Sequence, residues 1–401
     1  MSRAAIVDWA REIYEDVDFG VVRQWLAEDP ARKAAGYLPV YAPKELIHAC
    51  GMLPVGIHGG GSLEIIRGDA FYQSYICHLP RSVVELAQSG RLDMLSAVLF
   101  PSTCDVIRNL SGMFKLLYPD TYVRYIDVPQ VRDEEISTQF WQHELEILAN
   151  DLGEVSGVRP DRQRINASIA TYNRVRAIIR ELYRARRDTP WKVPSEELYL
   201  LLRAGELVPP GTFIELAQRY LVAVADSDDR LKDRTRVIVV GAFCEQPPLG
   251  LIKTIERAGC WIVDDDFLAG NRFIDVDTPV PAASANGGNG NGGADPLEAM
   301  SRSFLRHAMC TSVLYEDDPT GKRRLMAERV KAAGADGIIF AAPSFCDPAL
   351  LDRPMLRAGA EAAKIPCIAF QYSENTGQFQ QFREQAGTFA DSIKLWGEGG
   401  V

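Results

Sequence analysis

Two stretches far apart in this chain spell the same transition. Val98-Leu-Phe-Pro-Ser-Thr-Cys-Asp and Ile338-Ile-Phe-Ala-Ala-Pro-Ser-Phe-Cys-Asp each run from an apolar strand, through Pro-Ser-X-Cys-Asp, into a helical pattern. Short continuous apolar runs that turn directly into helices are the mark of buried strands in a parallel α/β sheet. Two copies so widely separated imply two sheets. A third run, Ile238-Val-Val-Gly-Ala-Phe-Cys-Glu, has a different turn but again sets a Cys–acid pair just past a strand.

The rest of the chain fits around these anchors. In the first third, Leu53–Ile57, Leu95–Phe100 and Tyr122–Val128 read as strands, with helical patterns near 42–50, 80–90 and 105–117. From about 134 to 225 the pattern changes to long amphipathic helices, such as Gln139–Leu152 and Asp161–Arg184. A second alternating unit follows, with strands at Arg236–Gly241, Trp261–Val263, Gly337–Ala341 and Cys367–Phe370, and helices near 248–258, 296–308 and 349–363. Strands and helices alternating at this spacing predict two doubly wound α/β domains of parallel sheet, joined by a helical segment. The expected divisions are 1–133, 134–232 and 233–401. Residues 282–294, rich in Asn and Gly, form a low-complexity insert with nothing to bury. Gly288, Gly290 and Gly293 satisfy G-x-G-x-x-G in letters, but no strand leads into them, so a flexible surface loop is the expectation.

Open α/β sheets bind ligands in the crevice beyond the carboxyl ends of their strands. That rule puts Cys104 on the first domain, and Cys244 and Cys346 on the second, at the same kind of location. The helix that opens after each turn offers backbone N–H groups and a positive dipole end, both favourable to a thiolate. Cys77, in Ile76-Cys-His-Leu-Pro-Arg, also stands at the opening of a helix, with Pro80 in its first turn. These wide spacings differ from the compact C-x₂-C of zinc ribbons and small ferredoxins. Thiolates drawn from two domains would hold a metal cluster in a cleft open to substrate. Cys50, Cys260, Cys310 and Cys367 carry no such pattern and read as core residues, since free cysteine is among the most buried residue types.

Composition narrows the function. A net charge of -10 leaves no Lys/Arg stripe for nucleic acid. No apolar run approaches a membrane span, and the first residues lack the apolar stretch of a signal peptide. A cytoplasmic location is expected, where eight cysteines stay reduced and metal binding is their usual account. There is no G-x-S-x-G elbow and no P-loop; Thr320-Gly-Lys lacks the preceding glycine loop. The histidines at 48, 58, 78, 143 and 307 form no H-E-x-x-H, and His58-Gly-Gly-Gly reads as a tight strand-to-loop turn. No residue stands out as a proton donor.

At the level of whole segments, Tyr37-Leu-Pro-Val-Tyr-Ala-Pro-Lys-Glu-Leu-Ile-His-Ala-Cys-Gly-Met-Leu-Pro-Val resembles the entry segment of the 2-hydroxyacyl-CoA dehydratase D-component and benzoyl-CoA reductase family. The resemblance continues through Cys77-His-Leu-Pro-Arg-Ser, Pro101-Ser-Thr-Cys-Asp, Phe345-Cys-Asp-Pro and the closing Phe370-Gln-Tyr-Ser-Glu-Asn-Thr-Gly-Gln-Phe. It covers nearly the whole chain apart from the insert, and three cysteine motifs in the right order make it specific.

The resemblance implies one subunit of a hetero-oligomer, with a [4Fe-4S] cluster in the inter-domain cleft. The family's three cluster ligands match Cys77, Cys104 and Cys346; Cys244 is a candidate fourth. It further implies a sister cluster-binding subunit, and separate ATP-hydrolysing activator subunits fed by reduced ferredoxin, with no ATP handled by this chain. Reducing an aromatic ring, or removing an unactivated β-proton, passes through a radical anion of the acyl-CoA that ordinary reductants cannot reach. Iron at the thioester oxygen would serve as Lewis acid and electron donor together. Within the family, the full Leu-Pro-Val-Tyr-Ala-Pro-Lys-Glu run and Phe243-Cys-Glu-Gln-Pro-Pro lean toward the branch that reduces the ring of an aromatic acyl-CoA. A 2-hydroxyacyl-CoA dehydratase subunit is the alternative. A non-catalytic, cysteine-ligated metal scaffold is the reading from a different class.

Overall fold

The structure, a computed structural model, describes the chain except residues 39–40, 60, 62, 132, 243–244, 268–269, 271–272, 274–275, 282–294, 307–320, 374–378 and 398–401. The expectations for Cys244, Cys310 and the 282–294 insert therefore lie outside the described residues. The described residues form two four-stranded parallel sheets, each flanked by helices on both faces.

The first sheet holds β1 (Lys33–Tyr37), β2 (Met52–Gly56), β3 (Ala97–Pro101) and β4 (Tyr122–Ile126) in the order β2-β1-β3-β4. The second holds β5 (Thr235–Val240), β6 (Cys260–Asp265), β7 (Gly337–Pro343) and β8 (Cys367–Tyr372) in the order β6-β5-β7-β8. The two orders are one topology used twice. Each chain path starts at an inner strand, steps outward, then crosses back to the other side. In such sheets the ligand crevice opens where the path reverses, here beyond β1 and β3 and beyond β5 and β7.

Strand alternation shows directly in the packing. Val98 and Phe100 of β3 face one core, with α2 (Gly20–Ala27), α4 (His78–Gln88) and α5 (Asp105–Leu117). Ala97 and Leu99 face the other, with α3 (Lys44–Ala49), α6 (Glu134–Ser156) and α7 (Arg162–Asp188). The helix α11 (Pro296–Leu305) packs on that same side, stacking Phe304 against Trp141. One face of the second sheet is covered by α1 (Arg3–Glu15), α7, α8 (Ser195–Gly205), α9 (Pro210–Ala225), α10 (Leu249–Arg257) and α14 (Gln380–Gly397). Its other face carries α12 (Gly321–Ala333) and α13 (Asp347–Ala362).

Strand patterning predicts three strands in the first unit, and the structure has a fourth, β1. Its Lys-Ala-Ala-Gly-Tyr has none of the β-branched residues that announce a strand. It is central because small residues are needed there: a Cβ on Gly36 would stand 2.7 Å from both Ile57 Cδ1 and Leu95 Cδ1. No described helix is long and apolar enough to cross a membrane.

Candidate cluster site between the two sheets

Cys77, Cys104 and Cys346 share one local structure: each is the N-cap residue of a helix, α4, α5 and α13 respectively. The sequence dictates this in two ways. Pro80 sits in the first turn of α4, and Pro348 follows Asp347 at the start of α13, where a missing N–H costs nothing. Cys104 and Cys346 also close the turns after β3 and β7, the corresponding strands of the two sheets. Pro101 pairs with Ile126 and Pro343 with Tyr372, so each Pro-Ser turn leaves its sheet at a matching register.

The three thiols come together. Cys346, only 3% exposed, packs with Ala342 and Ala349 into the core of the first sheet beside Cys104. Burial drives the Cys77 thiol pKa far up, and nearby Cys346, Glu245 and Cys104 add to it. Cys104 is also raised by burial, while the Ile107 and Val106 backbone N–H groups pull the other way. A thiol in this position ionises only when something cationic compensates it. Among the described residues, no three His, Cys, Asp or Glu side chains converge tightly enough for a single metal ion.

Further groups lie around these cysteines. Glu245, almost fully buried, accepts from the His78 N–H at 3.1 Å through Oε2, binding the start of α4 to the second sheet. The Tyr372 hydroxyl donates to the Glu245 carbonyl at 3.0 Å and so holds that segment from β8. Tyr72 packs, like Cys104, against the core of the first sheet, and its hydroxyl oxygen is buried with no hydrogen-bond partner among the described residues. Phe345, just before Cys346, is more than half exposed and held at φ 62°, a left-handed backbone unusual for an aromatic residue. Glu245 had a signal in sequence, the acid after Cys244; Tyr72 had none.

The other cysteines sit elsewhere. Cys50 and Cys260 are fully buried in separate cores, and each thiol donates to a backbone carbonyl 3.9 Å away, of Ala149 and Ala386. Burial raises both to about 12. Cys367 is partly buried at the start of β8.

The Tyr37–Glu45 segment, which carries much of the resemblance, builds a different buried cluster. Lys44 Nζ lies 2.9 Å from Glu206 Oε1, and the Tyr37 hydroxyl donates to Glu206 Oε2. Lys44 also lies over the Phe273 ring, 3.5 Å from its centroid. Glu45 pairs with Arg176 at 2.6 Å. His58 Nε2 is 3.7 Å from Glu206 Oε2, and burial lowers its imidazole to about 4. These charges hold the first sheet to α7 and α8, and the Gly56 N–H donates to the Glu206 carbonyl at 3.0 Å.

Comparison with known proteins identifies the chain's relatives. The profile of the family described as 2-hydroxyglutaryl-CoA dehydratase, D-component, matches residues 39–393. A benzoyl-CoA reductase subunit from Thauera aromatica is 48% identical over 99% of this chain and 100% of its own length. The beta subunit of lactoyl-CoA dehydratase from Anaerotignum propionicum is 27% identical over 91% of this chain and 93% of its own. The beta subunit of (R)-2-hydroxyglutaryl-CoA dehydratase from Acidaminococcus fermentans is 28% identical over 90% and 93%.

Proposed function

The chain belongs to the 2-hydroxyglutaryl-CoA dehydratase D-component family, and from that premise we propose that it is one subunit of an ATP-dependent benzoyl-CoA reductase. In this reading Cys77, Cys104 and Cys346 hold a [4Fe-4S] cluster in the crevice between the sheets, with Cys244 as a candidate fourth thiolate. The observation that carries it is the gathering of three helix-capping thiols, from both sheets, at one buried spot. The 48% identity over nearly the full length favours the reductase over the dehydratases.

The cluster would supply single low-potential electrons for reducing the ring of an aromatic acyl-CoA. The residues of this chain do the rest. All three cysteines cap helices, whose positive dipole ends favour a thiolate, and at Cys104 the N–H groups of Ile107 and Val106 add to this. Glu245, bonded to the first N–H of α4, keeps the two halves of the site in register. The apolar packing of Ala342, Ala349 and Leu350 about Cys346 excludes water, protecting a radical and setting the potential. ATP hydrolysis and electron supply from ferredoxin belong to partner subunits in this scheme, and a sister subunit carries the second cluster.

The test is anaerobic purification of the complex with Cys77→Ser, Cys104→Ser and Cys346→Ser in turn, against Cys50→Ser. Each of the first three should lose iron and visible absorbance from this subunit, and Cys50→Ser should keep both. A full complement of iron in Cys346→Ser would refute the site. Reconstitution with its sister subunits then decides the substrate: turnover of a 2-hydroxyacyl-CoA instead of benzoyl-CoA would move the chain to the dehydratase side.

A further inference from the structure

Where α3 ends and β2 begins, at the amino ends of the first sheet's strands, lies a cavity of about 350 Å³. Residues of α2, α7 and α9 form its other walls. It is separate from the crevice beyond the carboxyl ends of the strands, and none of Cys77, Cys104 and Cys346 lines it. Trp25, Leu53 and Pro209 give it an apolar wall, while His48, Arg164 and Thr171 bring polar atoms to it. A few polar groups set in an apolar concavity of this size is the usual form of a small-molecule site. Two of those groups are held ready by bonds made behind them. The Ser168 hydroxyl donates its only proton to the Glu45 carbonyl at 2.6 Å, so its 2.9 Å contact with His48 Nδ1 requires that nitrogen to be the donor. With the proton on Nδ1, His48 Nε2 is an acceptor, and it has no hydrogen-bond partner among the described residues. Burial lowers the His48 pKa, which keeps the ring neutral.

Arg164 Nε donates to the Ala49 carbonyl at 3.2 Å, which fixes the guanidinium at the end of α3. Its terminal nitrogens meet no carboxylate among the described residues. We propose that this cavity binds a small carboxylate with an apolar body and a hydroxyl or N–H donor, the carboxylate pairing with Arg164 and the donor with His48 Nε2. The charge argues for a monoanion: one cation stands there beside helix-end carbonyls, whose partial negative charge disfavours a phosphate dianion. Capping α3 accounts for the Arg164 Nε bond, but for neither the remaining guanidinium nitrogens nor the bare His48 Nε2. The inference depends neither on the cluster nor on the choice between reductase and dehydratase.

The experiment is isothermal titration calorimetry on the anaerobically purified complex, with the ortho, meta and para hydroxybenzoates as probes. The three isomers set carboxylate and hydroxyl at different separations on one apolar ring. At least one isomer should bind once per copy of this chain, with a Kd at or below about 1 mM. Benzoate, which lacks the donor, should bind about threefold more weakly or worse. The matching hydroxybenzyl alcohol, which lacks the anion, and the Arg164→Gln complex should each lose about tenfold or more. Ala167→Trp, at an exposed position of α7 on the cavity wall, should abolish binding by filling the space. Circular dichroism checks that both variants stay folded. No saturable binding of any isomer overturns the proposal, and so does equal affinity in folded Arg164→Gln. Unchanged binding in Ala167→Trp puts the probe elsewhere and overturns it as well. If Arg164→Gln unfolds, the alcohol and Ala167→Trp decide, and an alcohol that binds as well as its acid refutes the carboxylate site.

Discussion

Glu256 gives a pH dependence that can be worked through from its surroundings. It lies on α10, almost fully buried, and its Oε1 accepts from the Ser195 N–H at 3.2 Å, at the start of α8. Burial raises its carboxyl from an ordinary 4.5 to about 7; the bonds from Ser195 and the charges of Arg186 and Arg234 oppose the rise without cancelling it. Ionisation is therefore about 3 kcal/mol harder in the folded protein than in the unfolded chain. The sign follows from the raised value. The stability is fully present below about pH 4.5, where both states are protonated, and is lost as pH rises through about 7. Glu256→Gln keeps the acceptor oxygen and cannot ionise, so it should track the protonated wild type at every pH. Urea denaturation followed by fluorescence should place the two proteins within about 1 kcal/mol at pH 5 and separate them by about 3 kcal/mol, variant more stable, at pH 8.5. A difference that does not change between the two pH values would refute the burial argument.

Two further perturbations test the packing that frames the site. Arg186 and Asp265 form a fully buried pair at 2.7 Å, with the Tyr183 hydroxyl donating to the same carboxylate at 2.7 Å. Asp265→Leu strands the guanidinium and should cost about 3–5 kcal/mol by urea denaturation, and adding Arg186→Met should recover at least half of it. Gly36→Ala pushes a methyl group into Ile57 and Leu95 at the centre of the first sheet, and should lower the urea midpoint by the equivalent of about 1–3 kcal/mol.

How much of this was legible in the sequence depends on what each element uses as its signal. Strands β3, β5 and β7 are buried on both faces and spell continuous Val, Ile, Leu and Phe, so they stand out. The strand β1 is buried just as deeply but had to be made of small residues, and small residues carry no strand signal. Helix α5 lies where its apolar pattern near 105–117 puts it, because that spacing and the Cys-Asp turn agree on where it starts. Contacts across the molecule were not legible. Nothing in the letters says that Glu245 would reach the first N–H of α4, that Glu206 would draw Lys44 and Tyr37 together, or that α1 would pack against α8 and α9, helices that cover the second sheet. Such pairings depend on how the two sheets meet, which local periodicity does not encode.

The repeated topology explains why the cysteines were readable when their partners were not. The order β2-β1-β3-β4 maps onto β6-β5-β7-β8 strand for strand, so Cys104 after β3 and Cys346 after β7 are equivalent positions of one design. Equivalent positions bring like turns, and the Pro-Ser-X-Cys-Asp echo is that equivalence written in sequence. Cys77 breaks the symmetry. It caps the helix that returns the chain from β2 to β3, whereas the described helices on the matching return from β6 to β7, α11 and α12, begin at Pro296 after Asp295 and at Gly321 after Thr320, with no cysteine at either start. A ligand set of two equivalent cysteines and one from a single half is therefore inherently unequal. Among the three proposed ligands the first sheet then supplies two and the second one, and the candidate fourth, Cys244 just past β5 in the sequence, would even the halves.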